Sequence, residues 1–254
     1  MAGLFAVSAL ITACSDDEVS VQAVPDNQPV VSNPEKPPAA QGKQIVLHGV
    51  ANGDEQIQKT MLGDDGKSVL FTDGDKISLF DGNGKNCPMT SKISDGGKSA
   101  DFTGTIPTDA ADYYILSPYQ ENAGFSSAEN KITAELPATQ AATPNSFDPA
   151  ANLSAAICKD GGNFSLRNIG SLLKLTTNEA FSKIVVKSVN EEKIAGKCTI
   201  TFDADGIPEA VAVDADAVSE ITLVPSGSGD IAAGSYYVAL LPESQGKGLV
   251  IEFY

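Results

Sequence analysis

The stretch NKITAEL, residues 130–136, places an apolar side chain at every second position. In an extended chain Ile132, Ala134 and Leu136 would point to one side and the polar residues between them to the other, because successive side chains of a β-strand alternate between the two faces of a sheet. An amphipathic helix would instead need apolar residues three and four positions apart. The stretch therefore predicts a β-strand with one buried face.

Similar short runs recur along the chain, separated by Gly, Asp, Asn and Pro. The first set is KQIVLHGV, KSVLF, KISLF, ADFTGTI, DYYILS and NKITAEL, and the second is GNFSLRN, SLLKLTT, KIVVKSV, KCTITF, EITLV, SYYVALL and GLVIEF. No run approaches twelve residues of helical periodicity, and residues 151–157 could form a turn or two of helix at most. Many short strands with regular turns predict an all-β antiparallel sandwich fold.

The two sets resemble each other internally. A tyrosine pair precedes an apolar strand that ends in proline at Tyr113-Tyr114 and again at Tyr236-Tyr237, and the two pairs lie 236 − 113 = 123 residues apart. This spacing favours two β-sandwich domains of similar build, although two β-rich segments can also share such a pair by coincidence. We expect an N-terminal domain over residues 44–161 and a C-terminal domain over residues 162–254.

Net charge restricts the classes of partner. The chain has 33 acidic and 17 basic residues, a formal net charge of −16, and no block of positive charge. Nucleic acids and anionic membrane surfaces repel such a protein. We therefore expect no nucleic-acid partner.

Few residues suit catalysis or metal binding. The single histidine, His48, lies in an alternating apolar run, so a nucleophile–histidine site would have to be built around a strand residue. Cys87, Cys158 and Cys198 have no C-x-x-C spacing, which leaves either one disulfide or three free thiols. The acidic clusters at 64–66 and 73–75 fit turns better than calcium loops. We predict no catalytic residue, no metal site, no cofactor and no enzymatic activity.

The N-terminus has a different character. Thirteen small or apolar residues precede Cys14, fewer than the ~20 that span a bilayer. Residues 10–14, LITAC, resemble a bacterial lipobox, which implies that residues 1–14 are a partial lipoprotein signal peptide and that the Cys14 thiol receives the lipid. The basic n-region of a signal peptide is missing, because the first basic residue is Lys36.

An acidic and proline-rich segment follows. Asp16-Asp17-Glu18 resembles the surface-export signal of Bacteroidales lipoproteins, which implies display at the cell surface on the outer membrane. A periplasm-facing anchor remains the alternative. Between residues 15 and 42 there are five prolines and no aromatic residue. Such a composition cannot form a core, so we expect residues 15–43 to be a disordered tether.

Three segments together resemble the fimbrillin families of the Bacteroidales, in particular the minor-fimbrillin-like group of type V pili. Residues 67–80, KSVLFTDGDKISLF, are similar to that group's strand–turn–strand unit. Residues 136–156 resemble its crossover between domains, and residues 163–175 resemble the opening strands of its second domain. The resemblance implies two transthyretin-like antiparallel β-sandwich domains, and a pilus subunit that acts in adhesion.

The resemblance also implies assembly by strand exchange between subunits. A protease removes the first strand, and a strand of a neighbouring subunit fills the open groove. The first β-run after the tether supplies the candidate displaced strand, with Ile45 and Leu47 on one face and Val46 and His48 on the other. The family's cut commonly follows arginine, but the single arginine, Arg167, lies in a predicted strand, so Lys59 is the candidate cleavage site.

Two alternatives remain open. One is a surface glycan-binding lipoprotein that contacts a host or bacterial surface, and the other is an uncut, lipid-anchored subunit at the pilus base. The absence of tryptophan argues against glycan binding, because such sites usually stack sugars on exposed aromatic rings. The apolar run GLVIEFY at 248–254 has no turn or polar tail after it, so we expect the second domain to be incomplete.

Overall fold

The structure, a computed structural model, describes residues 42–50, 61–62, 69–242 and 247–254. These residues contain twenty β-strands and two short 3-10 turns, and no α-helix occurs among them. The predicted all-β fold class is therefore confirmed. In chain order the strands are β1 (Lys43–Val50), β2 (Met61–Leu62), β3 (Val69–Leu70), β4 (Lys76–Phe80), β5 (Asn86–Ser94), β6 (Ser99–Ile106), β7 (Asp112–Ser117), β8 (Gly124–Ser126), β9 (Lys131–Leu136), β10 (Thr139–Ala142), β11 (Ser154–Lys159), β12 (Asn163–Phe164), β13 (Arg167–Asn168), β14 (Ser171–Thr177), β15 (Ile184–Ser188), β16 (Gly196–Phe202), β17 (Pro208–Val213), β18 (Glu220–Pro225), β19 (Gly234–Leu240) and β20 (Leu249–Phe253).

The largest sheet has eight strands in the order β12-β1-β6-β5-β4-β7-β11-β13. Its neighbours pair antiparallel, except that β12 pairs parallel with β1. The other described sheets have the orders β10-β18-β15-β20, β17-β16-β9-β8, β14-β19 and β2-β3. Antiparallel pairing through short turns is what the regular spacing of the predicted strands indicates.

Two clusters of buried side chains form the interior. One lies under the eight-stranded sheet and includes Leu47, Phe71, Phe102, Tyr113 and Phe164. The other joins side chains of the eight-stranded sheet, such as Phe80 and Leu116, to those of the smaller sheets, such as Ile132, Ile184, Ile200, Ile221 and Val238. The alternating positions of NKITAEL belong to this second cluster, because Ile132, Ala134 and Leu136 are all buried.

The sheets interleave the two ranges that the sequence suggested as domains. Residues 40–254 group as one compact unit. Within it, β9 pairs with β16 and β10 pairs with β18, whereas β12 and β13 join the eight-stranded sheet. Two domains divided near Gly161, each with a transthyretin-like fold, therefore stay a prediction.

Residues 151–157, where the sequence allows a turn or two of helix at most, are mainly a β-strand. A 3-10 turn covers only Pro149–Ala151, and β11 begins at Ser154. This strand pairs with β7 on one edge and β13 on the other, and five of its six residues are buried or half-buried. A strand buried on both faces lacks alternation of polar and apolar residues, so its sequence does not distinguish it from a short buried helix.

Candidate functional site

Strand β1 lies almost at the edge of the eight-stranded sheet. On one side all eight of its residues, Lys43 to Val50, are in register with β6. On the other side only His48 and Gly49 pair, with the two-residue strand β12. Among the described residues, nothing pairs with the outer edge of residues 43–47. The strand is thus held along its length by one neighbour.

The inward face of β1 fills part of the first core. Leu47 is 2% exposed and stands opposite Phe102 of β6, and Ile45 is half-buried beside it. Gly49, the next residue on this face, is also buried. A Cβ atom added to it would lie 3.0 Å from Phe102 Cε2 and 3.0 Å from Phe164 Cζ. The two rings contact each other, with centroids 5.5 Å apart. The inner face therefore needs a large aliphatic residue at 47 and no side chain at 49.

The outward face of β1 contacts solvent and one carboxylate. Val46 is 56% exposed. His48 Nδ1 lies 2.7 Å from Asp101 Oδ1 on the neighbouring strand β6. The two faces are those that the alternation of the sequence predicts.

An ion pair fastens the first residue of β1 to the segment before β7. Lys43 Nζ donates to both carboxylate oxygens of Asp109, at 2.9 Å to Oδ1 and 2.7 Å to Oδ2, and Tyr113 Oη donates to Asp109 Oδ1 at 3.0 Å. The hydrogen bonds from Lys43 and then Tyr113 hold the pKa of the Asp109 carboxyl below its ordinary value. The bond to Asp109 raises the pKa of Lys43 above its ordinary value.

These shifts determine the pH range in which the Lys43–Asp109 pair stabilises the fold. Because the pKa of Asp109 is depressed, its contribution is present above the unfolded value of about 3.9 and is lost as pH falls through the folded value. Because the pKa of Lys43 is raised, its contribution is present below about 10.4 and is lost as pH rises through the folded value. The pair is therefore intact at neutral pH. Both side chains are more than half exposed, so the contribution is small.

The predicted site residues are only partly within the described ranges. Ile45, Val46, Leu47 and His48 all lie in β1. Cys14, the predicted lipidation site, and Lys59, the candidate cleavage site, lie outside the described residues. Their roles stay predictions.

Sequence reasoning missed the residues that face β1. Asp101 and Asp109 could not be distinguished from the other acidic residues, because their pairing depends on the register of β6 and on the path of the loop before β7. Phe164 of β12 contacts the position of Gly49, although it lies more than one hundred residues after Gly49 in the chain. Gly49 was the one visible sign, since a glycine at an inward strand position often marks close approach of another group.

The acidic turn at residues 73–75 uses its carboxylates locally. Asp75 accepts hydrogen bonds from Thr72 N at 2.7 Å and Thr72 Oγ1 at 2.6 Å, and Asp73 accepts from Lys92 Nζ and Ile93 N. In the described part of the chain no cluster of three or more His, Cys, Asp or Glu side chains is placed to hold a metal ion. The acidic cluster at 64–66 lies outside the described residues.

The described ranges contain no helix long and apolar enough to cross a bilayer. No protein-family model, curated protein or solved structure matches the chain.

The three described cysteines, Cys87, Cys158 and Cys198, are buried as free thiols. Burial raises the pKa of the Cys158 thiol to about 11 and that of the Cys198 thiol to about 12, and it raises the pKa of Cys87 as well. Because the thiolate is the reactive form, all three are expected to be inert in the folded protein.

Alkylation measures this directly. In a Cys14→Ser variant, which leaves only these three thiols, iodoacetamide at pH 8 is expected to modify Cys158 at least about 100-fold more slowly than a free cysteine, because a two-unit rise in pKa lowers the thiolate fraction by that factor. All three should react at ordinary rates in denaturant. Mass spectrometry of timed samples gives the rates, and rapid modification of any of them in the native protein would contradict the burial.

Proposed function

We propose that this protein is a structural or tip subunit of a cell-surface type V pilus, assembled by protease-triggered strand exchange and serving adhesion. The observation that carries the proposal is the position of β1, which is paired fully with β6 and at only two residues with β12. If β1 left, only its own pairings with β6 and β12 would break, and the order β6-β5-β4-β7-β11-β13 would stay intact.

Departure of β1 would leave a groove that favours another strand. The backbone N–H and C=O groups of β6 would lose their partners along eight residues, and the place of Leu47 between Phe102 and its neighbours would be empty. An unpaired sheet edge is a template for a strand of another chain, which restores the hydrogen bonds and fills the core at alternate positions. The same interactions that hold β1 would therefore hold subunits together.

The remaining parts of the proposal come from the sequence. Cys14 would be the lipidated residue that anchors the precursor to the outer membrane, and residues 15–43 would space the folded part from it. Other pilus subunits are the partners in strand exchange, and a host or bacterial surface glycan or protein is the adhesion target.

The proposal is tested by cutting the chain between β1 and the rest of the fold and then measuring strand exchange. Brief digestion with a lysine-specific protease is expected to cut after Lys59, because this lysine lies between the first two β-runs. The cut protein should then take up a fluorescent peptide of residues 42–50, whereas the uncut protein should remain a monomer and take up no peptide. Mass spectrometry identifies the cut bond, and light scattering gives the size.

The matched control is Lys59→Gln, which removes the cut and changes nothing in β1. If this variant assembled or took up the peptide as readily as the unchanged protein, strand exchange at β1 would be wrong. The uncut pilus-base alternative would then be favoured.

Glycan binding is a second candidate that one observation favours. A groove of about 590 Å³ is lined by Tyr119, Glu121, Asn122, Glu135 and Lys197, among others. An aromatic ring beside carboxylate and amide groups suits a sugar. This groove does not involve β1, so the cutting experiment separates the two candidates.

A further inference from the structure

We propose that the groove left by β1 selects its incoming strand by three features. These are a lysine or arginine at the position of Lys43, aliphatic residues at the positions of Ile45 and Leu47, and a glycine at the position of Gly49. The inference rests on the proposed function, because it concerns the strand that replaces β1. It adds the partner's chemistry, which is a basic β-strand of another chain with glycine six residues after the cation.

The glycine requirement follows from the two rings beneath Gly49. Phe102 is fully buried, Phe164 is 3% exposed, and a Cβ atom at position 49 would approach each ring to 3.0 Å. Phe102 also packs edge-on against Phe71, with ring centroids 5.3 Å apart. Neither ring can move away without disturbing the core. An incoming strand with a side chain at this position would be overpacked.

The charge requirement follows from two carboxylates that stay behind when β1 leaves. Asp109 would lose the ammonium group of Lys43, and Asp101 would lose the imidazole of His48. In a chain with a net charge of −16, an acidic strand would be repelled from this edge, whereas a strand with a cation at the first position restores the pair with Asp109. Electrostatic complementarity of this kind selects among partners.

The sequence pattern that the groove selects is rare in this chain. Of the 17 lysines and arginines, only Lys43 is followed by Val, Ile or Leu at the second and fourth positions and by Gly at the sixth. The part of the chain that would remain after a cut at Lys59, residues 60–254, contains no strand of this pattern. The donor that we propose is therefore not one of the strands in residues 60–254 of a cut copy.

The test uses the full chain with a recognition site for a sequence-specific protease introduced into residues 51–60. After cutting, fluorescent peptides compete with β1 for the groove, and fluorescence anisotropy measures their dissociation constants. The parent peptide spans residues 42–50. A control chain has the same recognition site in residues 226–229, between β18 and β19, where Gly227 and Gly229 have open space around them.

Substituted peptides separate the features. The Gly49→Ala peptide is expected to bind about 5-fold or more weakly than the parent, since overpacking costs at least about this factor. Val46→Thr, a change at the exposed outward position, should bind within about 2-fold of the parent. A peptide of residues 183–190, KIVVKSVN, places Lys187 at the position of Leu47 and Val189 at that of Gly49, so it lacks two of the features and should not enter.

Charge reversal tests the pairing with Asp109. The Lys43→Glu peptide is expected to bind about 3- to 10-fold more weakly to the cut chain, and the Asp109→Lys chain should recover that loss. Recovery of binding in the Asp109→Lys chain would show that residue 43 of the peptide pairs with residue 109. A general effect of peptide charge would not be reversed by this one substitution in the chain.

The outcomes distinguish the two proposals. If the parent peptide entered neither cut chain, or entered the control cut at 226–229 equally well, strand exchange at β1 would fail and this inference with it. If the parent entered only the chain cut in 51–60, but Gly49→Ala and Lys43→Glu bound equally well, the selection rule alone would be overturned. Discrimination with recovery by Asp109→Lys supports it.

Discussion

Phe102→Ala is expected to lower the free energy of unfolding by about 3 to 5 kcal/mol, the range found when a buried aromatic side chain is truncated. Phe102 is fully buried, contacts the rings of Phe71 and Phe164, and stands opposite Leu47 of β1. Its removal would leave a cavity under both β1 and β12. Urea denaturation followed by circular dichroism measures the change.

Phe253→Ala is the matched control for this substitution. Phe253 also contacts another ring, that of Phe181 at 4.8 Å between centroids, but it is 45% exposed on β20. Its loss should cost about 1 kcal/mol, because little apolar surface is transferred back to water. If the two variants were equally stable, the burial of Phe102 would not be the reason for its effect. Phe102→Leu serves if Phe102→Ala does not fold.

Most strands were visible in the sequence because one of their faces is buried. The runs at 43–50, 76–80, 112–117 and 171–177 match strands residue for residue. β5 was missed, since it contains Pro88, and proline within a run argues against a strand. In the structure β6 pairs with β5 only from Thr90 onward, so Pro88 lies beyond that ladder.

The turns were predicted from composition, and the hydrogen-bond pattern of one turn occurs a second time in the chain. The glycine-rich stretch at 81–84 is confirmed as a hairpin turn between β4 and β5, where Asp81 Oδ1 accepts from Asn83 N and Lys85 N. Asp203 Oδ1 accepts in the same way from residues 205 and 207, between β16 and β17. The two aspartates lie 203 − 81 = 122 residues apart, close to the spacing of the tyrosine pairs. This spacing agrees with the expected similar build of residues 44–161 and 162–254, which stays a prediction.

The site was only half accessible to sequence analysis. Alternation identified β1 and its two faces, because that information is local. The partners of β1 lie on β6, in the loop before β7 and on β12, and no local pattern gives their register. The sequence therefore predicts which strand would be displaced, but it does not predict what the replacing strand would have to contain.

Two glutamines act in a way that no pattern indicates. The amide of Gln140 donates to the carbonyl of Ala239 at 2.8 Å and accepts from its N–H at 3.0 Å, so it takes the place of a neighbouring strand beside β19. Gln120 forms the same two bonds with Glu135 of β9, at 2.6 and 2.9 Å. Each glutamine supplies hydrogen bonds to backbone N–H and C=O groups at a strand edge that has no neighbouring strand at that point, because buried backbone groups need partners. The two differ in burial, which makes them a natural comparison.

Gln140→Met is expected to cost about 3 kcal/mol of stability, because it leaves both the N–H and the C=O of Ala239 buried without a partner. Gln140 is 1% exposed, and methionine keeps most of its volume, so the loss reports the hydrogen bonds and not a cavity. Gln120→Met removes the same pair of bonds at a half-buried position beside the exposed Glu135, where water replaces the amide, and should cost about 1 kcal/mol or less. Hydrogen exchange adds a local measurement, since the amide proton of Ala239 should lose protection in Gln140→Met and keep it in Gln120→Met. Equal losses of stability in the two variants would mean that burial does not govern these bonds, and an unchanged Ala239 amide in Gln140→Met would mean that Gln140 does not cover β19.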